Sequence, residues 1–179
     1  FCAEGVFHDL AERIDGIAPL PGFASIVPVR DEDVCFVPLL GFEGGRFTHL
    51  LEHVQPPQDN IYPVIGVPGF RVEYPFVAYW GNRHPLETTG SWRNVQFAAA
   101  NSLVDVFDLL GKIRARKPGC RIKIAPIGTK PHAIGAILFA MKYPHETELV
   151  YDNPKRQQKR TLGIGRIIES HASRLLSDR

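Results

Sequence analysis

The stretch from Arg121 to Asp152 constrains this chain more than any other. Arg121 to Ile127 (RIKIAPI) alternates and then runs apolar into Gly128. Pro131 follows in the first turn of a segment whose apolar positions Ile134, Ile137, Leu138 and Met141 recur at helical spacing, and Thr147 to Tyr151 (TELVY) returns to a strand pattern. Strand, helix and strand within about thirty residues is the size of one right-handed parallel crossover. An earlier unit repeats the plan. Val34 to Leu40 (VCFVPLL) is an unbroken apolar run, Gly41, Gly44 and Gly45 follow, and Arg46 to Val54 places Phe47, Leu50, Leu51 and Val54 on one helical face.

Strands that alternate with helices imply an α/β chain, Rossmann-like, with a mostly parallel sheet and helices on both faces. Ligands of such sheets collect beyond the carboxyl ends of the strands, which directs attention to the loops after Leu40, Val67, Ile127 and Tyr151. Elsewhere the pattern is less regular. Phe1 to Ile14 reads as a helix, and Ile61 to Val67 as a strand that Pro63 pushes toward an edge or a bulge. Pro68 to Gly90 reads as an extended excursion with a short strand at Phe76 to Tyr79. Asn101 or Ser102 can cap a helix, with Asp105 completing a capping box and Leu103, Val106, Phe107, Leu110 and Ile113 along one face until Pro118 and Gly119 end it.

A length of 179 residues suits a single domain, 1–179. The start at Phe1, with no signal-peptide layout, suggests a fragment of a longer protein. No run approaches the roughly 20 apolar residues of a membrane span. Cys2, Cys35 and Cys120 contain no close pair, so reduced thiols in a cytoplasmic protein are expected. A net charge of +2 is too small to argue for nucleic acid, although Lys112 to Lys123 and Lys155 to Arg166 concentrate basic residues.

The loop at Gly128 carries the most chemistry. Gly128 lets backbone approach backbone or ligand closely, Thr129 can cap the helix with its hydroxyl, and Pro131 costs no intrahelical bond in the first turn. Orphan N–H groups and the helix dipole there favour an anion. Lys130 adds a mobile cation, and His132 a donor that can titrate near neutral pH. Asp152 ends the next strand 24 residues after Gly128, near the place where an acidic residue holds ribose hydroxyls in dinucleotide-binding units. Neither Gly-x-Gly-x-x-Gly at 128 nor Gly-x-x-x-x-Gly-Lys anywhere is present, so NAD binding and P-loop hydrolysis are disfavoured and no cofactor is expected. The basic, glycine-bearing segment after Tyr151 brings Arg160 and Arg166 as bidentate phosphate ligands that could close over the loop.

Gly128-Thr129-Lys130 after an apolar strand, then a small-residue helix and Val150-Tyr151-Asp152, resembles the CARF group of Rossmann-like sensor domains. The resemblance implies binding of cyclic or linear oligonucleotides and control of a fused effector domain. It covers about thirty residues of the 179 and departs from the usual two glycines before Thr-Lys, since Ile127 stands before Gly128. It assigns ligand contact to Gly128, Thr129 and Lys130 alone. Homodimers are common among such sensors, and nothing in the sequence fixes an oligomeric state.

Three other groups are candidates. Glu43 and Arg46 lie in the glycine loop after the first strand, where Arg46 could meet a phosphate. Asn82, Arg83 and His84 could line a pocket for a base or sugar. His49-Leu50-Leu51-Glu52-His53 matches the His-x-x-Glu-His pattern of inverted zinc peptidases, in which two histidines hold the metal and the glutamate activates water. That family needs a third, glutamate ligand some seventy to eighty residues later, and none lies between Glu87 and Glu146. The favoured expectation is a binding domain for a nucleotide or other phosphorylated ligand. A hydrolase or transferase using Glu43, His132 or Asp152 comes second, and a zinc peptidase third.

Overall fold

The computed structural model describes residues 11–14, 16–24, 33–156 and 167–177. Through these the chain forms β1 (Ala11–Ile14), β2 (Ala18–Pro19), β3 (Val34–Leu39), α1 (Gly44–Val54), β4 (Val64–Gly66), α2 (Tyr74–Gly81), α3 (Arg83–Thr88), β5 (Gln96–Ala98), α4 (Leu103–Arg116), β6 (Arg121–Pro126), α5 (Lys130–Lys142), β7 (Thr147–Tyr151), β8 (Pro154–Arg156) and α6 (Ser173–Leu176). The main sheet has the order β2-β7-β6-β3-β4-β5, with β2 antiparallel on β7 and the rest parallel.

Counted in chain order from β3, the five parallel strands stand 3-2-1-4-5 across the sheet. This is the doubly wound, Rossmann-like order, and the winding reverses between β3 and β6. Those two strands pair over their whole length, from Val34 opposite Arg121 to Leu39 opposite Pro126. The unbroken apolar run of β3 has its cause here. Cys35, Val37 and Leu39 enter a core with Val106 and Leu110 of α4 and Ala136 and Phe139 of α5. Phe36 and Leu40 pack on the other face with Phe47 and Leu50 of α1 and Leu86 of α3. Burying each such side chain contributes about 1.5–3 kcal/mol, so neither face tolerates a polar residue. Burial, with Cys120 beside it, pushes the Cys35 thiol up to about 12 and leaves it an inert core group.

Three expectations change. Ala11–Ile14 is a strand rather than helix, because Pro154–Arg156 supplies an antiparallel partner from the other end of the chain; the earlier part of the expected helix lies outside the described residues. Phe76 to Tyr79 is helical. Pro75 sits in the first turn of α2, Tyr74 and Ala78 bury one face, and this packing overrides the strand preference of Phe, Val and Tyr. β4 is an interior strand, since β5 adds outside it, while Pro63 stays out of the ladder and offers its carbonyl to Gln96 N at 2.8 Å. Gly135 lets α5 approach α4 closely: a Cβ there would lie 2.3 Å from Val106 Cγ1 and 2.5 Å from the Leu103 carbonyl of α4.

Candidate functional site

The reversal between β3 and β6 opens the crevice in which doubly wound sheets hold their ligands. Two helices begin at its rim, α1 after β3 and α5 after β6. Their loops touch through glycine: a Cβ on Gly128 would stand 2.6 Å from the Leu40 carbonyl, and one on Gly41 would stand 2.7 Å from the Ile127 carbonyl. Any side chain at either position forces the two strand ends apart. Asn82, between α2 and α3, holds this arrangement from the side, donating from Nδ2 to the carbonyls of Gly41 at 2.8 Å and Ala78 at 2.7 Å. Asn82 is fully buried, whereas Arg83 pairs with Glu87 at the surface.

Arg46, Glu43 and Asp152, far apart in sequence, meet at one end of the crevice. The Arg46 guanidinium grips Asp152 with two teeth, Nε to Oδ2 at 2.6 Å and Nη2 to Oδ1 at 2.5 Å, while Nη1 reaches the Ile127 carbonyl at 3.4 Å and lies 3.7 Å from Glu43 Oε2. The Tyr151 ring lies 5.7 Å away. The Asp152 side chain is wholly buried and that of Arg46 is 11% exposed. Burial opposes the Arg46 charge, but the hydrogen bonds and charge of Asp152 outweigh it and raise the guanidinium above its ordinary value. This corrects two expectations. Arg46 does not wait for a phosphate and Asp152 does not wait for a ribose, because each spends its charge on the other.

The α5 end is organised differently. Thr129 caps the helix as expected, its hydroxyl accepting from His132 N at 3.4 Å and donating to the Ala100 carbonyl at 2.8 Å. The hydroxyl thereby acts as both donor and acceptor within the fold. The His132 ring is fully buried, with Nε2 2.9 Å from the Ala99 carbonyl. A carbonyl accepts only, so Nε2 carries the proton, and Nδ1 has no partner among the described residues. Burial lowers the His132 pKa, against the opposing pull of the Ala99 and Ala98 carbonyls and Asp105. His132 is therefore an anchor between α5 and the loop after β5 and not a donor to an anion, a third correction, with burial as its cause. Lys130 is exposed. Among the described residues nothing accepts a hydrogen bond from the backbone N–H of Thr129 or Lys130.

The structure thus gathers Gly128, Thr129, Lys130, Glu43, Arg46 and Asp152 around one crevice, and Arg160 lies outside the described residues. The anchoring carbonyls of Ala99 and Ala100 escaped notice in the sequence. A three-residue strand at Gln96–Ala98 leaves too short a pattern to mark a strand end there. Sequence spacing does place His49 and His53 on α1, with His49 Nδ1 3.6 Å from Glu52 Oε2. His49 and Glu52 are more than half exposed, and no group of three metal-ligating side chains occurs among the described residues. Of the acid and base candidates, Glu43 and Asp152 both lie against Arg46, while His132 faces the Ala99 carbonyl. No described helix is long and apolar enough to cross a membrane. No protein-family model matches the chain, and no curated protein matches it.

Proposed function

We propose that this domain binds a nucleotide or another phosphorylated ligand at the α5 side of the crevice, as the sensing part of a larger protein. One observation carries the reading: the reversal of the sheet falls between β3 and β6, beside an α5 terminus whose first backbone donors no described residue occupies and an exposed lysine. Unpaired N–H groups at a helix start favour negative charge, and the Lys130 ammonium adds a charge that no described carboxylate neutralises within 4.0 Å. The resemblance of Gly128-Thr129-Lys130 to the CARF loop supports the same side of the crevice and an oligonucleotide as the ligand class. A catalytic role draws less support, because His132 and Asp152 are each held by a structural partner, the Ala99 carbonyl and Arg46.

A thermal-shift screen with nucleotides, oligoadenylates and sugar phosphates tests the proposal on the wild type and on Lys130→Ala. Ligand at about 100 times its dissociation constant adds roughly 2.7 kcal/mol of apparent stability. The expected result is such a shift in the wild type and its loss in the variant. If no phosphorylated compound shifts the wild type, the Gly128 loop is a helix cap and nothing more.

A further inference from the structure

Between α2, the segment 67–72 and β5 runs an open cleft of about 1140 Å³. With its open mouth included, that volume is of the order of small-molecule sites, about 300–1,000 Å³, which are lined mostly by apolar and aromatic side chains with a few polar groups that orient the ligand. The cleft follows that plan. Phe76 and Trp80 of α2 and Phe97 of β5 line it at 74%, 67% and 62% exposure, and Phe70 and Tyr79 line it too. Among the described residues Arg71 is the one charged side chain in the lining. Neither Gly128 nor Lys130 lines the cleft, so it is separate from the loop to which the phosphorylated ligand is assigned.

Backbone contacts fix its shape. A Cβ on Gly69 would stand 2.7 Å from the Arg71 carbonyl and 2.8 Å from Pro75 Cδ, so only glycine lets the segment 67–72 fold this tightly onto the start of α2. Tyr74 N donates to the Arg71 carbonyl at 3.2 Å and Val67 N to the Ala98 carbonyl at 2.8 Å, which ties the segment to α2 at one end and to β5 at the other. The Arg71 guanidinium lies over the Tyr74 ring at 5.9 Å, and that ring meets Phe42 of the cleft wall edge-on at 5.2 Å.

We propose that this cleft binds a small aromatic carboxylate, with its rings among Phe76, Trp80 and Phe97 and its carboxylate on Arg71. Charge selects the acid. The single charge in the lining is a cation, and a guanidinium matches a carboxylate with two parallel hydrogen bonds. Glu73 lies 3.8 Å from Arg71 but does not line the cleft, and an ion pair between side chains about half exposed gains little in water. With five N–H donors, the guanidinium has capacity for a second carboxylate beside Glu73. The walls select the ring. Exposed aromatic faces and edges favour offset or edge-on contact with another ring. Apart from Arg71 and the Tyr79 hydroxyl the lining side chains are apolar, so the hydroxyls of a sugar or the edge groups of a nucleobase would find few partners there.

Isothermal titration calorimetry with naphthoate on the 179-residue chain tests this, with naphthalenemethanol as the neutral counterpart and octanoate as an acid without rings. The expected result is saturable binding of naphthoate with a dissociation constant below about millimolar. Arg71→Gln is expected to weaken naphthoate by about tenfold or more, the loss of hydrogen bonds to a charged group, and to leave the weaker binding of the alcohol unchanged. Phe76→Ser alters an exposed ring, and is expected to keep the wild-type Tm while weakening acid and alcohol alike. Lys130→Ala is expected to bind naphthoate as the wild type does, so failure at this cleft and failure of the phosphorylated-ligand reading are told apart. No saturable heat at about millimolar naphthoate, an Arg71→Gln that binds as tightly as the wild type, or octanoate that binds as tightly as naphthoate each overturns the proposal.

Discussion

The loops that follow β3 and β6 are built alike and finished differently. Each leaves an apolar strand, passes a glycine that admits no side chain, and opens a helix onto the same crevice. At the α1 start the local cation is turned inward and consumed by Asp152; at the α5 start the local cation stands in solvent, and the inward group is a neutral histidine. Similar backbone plans thus give one corner that fastens the sheet and one whose cation stays open to solvent. The difference rests on which side chain finds a buried partner.

Breaking the fastened corner has the largest expected effect. Removing one member of a buried ion pair strands the other without solvent, at a cost of about 3–5 kcal/mol. Arg46→Ala and Asp152→Ala are therefore each expected to lower stability by that amount in chemical denaturation. Replacing both, as Arg46→Met with Asp152→Leu, removes the uncompensated charge and is expected to recover most of the loss. If both single variants unfold at the wild-type midpoint, the pair is not the fastening described.

The architecture was legible in the sequence because it rests on long apolar periods. β3, α1, α4, β6, α5 and β7 fall within a residue or two of where their patterns place them, and the Ser102 cap is present with Asp105 N 3.1 Å from the hydroxyl. What escaped depends on distant partners. Ala11–Ile14 becomes strand through Pro154–Arg156, and α2 becomes helix by packing Tyr74 and Ala78 against the core. The candidate site shows the same division. Gly128 and Thr129 act locally and could be read from neighbours. The fates of Arg46, Asp152 and His132 are set by groups 106, 106 and 33 positions away, which no local pattern encodes.

The α5 corner gives smaller effects. Thr129→Ala removes the helix cap and the bond to the Ala100 carbonyl, and is expected to cost about 1–2 kcal/mol in the same denaturation assay. His132 adds a pH dependence whose sign follows from its lowered pKa. Above its ordinary value of 6.5 the ring is neutral whether folded or not. Below 6.5 the unfolded chain takes up a proton that the buried ring resists, so stability falls as pH drops toward the folded-state pKa. His132→Gln, which can still donate to Ala99, is expected to flatten that decline in a pH series of Tm values. Glu146, held down by hydrogen bonds from Arg114, contributes its own loss below its ordinary 4.5. A decline confined to that lower window and unchanged by His132→Gln would show that the ring is not the titrating group.

Lys130 gives the smallest structural effect and the sharpest functional one. Its side chain is exposed, and a surface substitution of this kind stays within about 0.5 kcal/mol of the wild type. Lys130→Ala is therefore expected to match the wild-type Tm in buffer and to lose the stabilisation by a phosphorylated ligand. Lys130→Arg keeps the charge and is expected to retain much of it. The contrast with α1 is then direct. There, removing the cation costs stability; at α5, removing it costs binding alone. A ligand shift that survives Lys130→Ala would place the anion on the backbone N–H groups without help from the side chain, and the two corners would differ in their folding roles but not through this lysine.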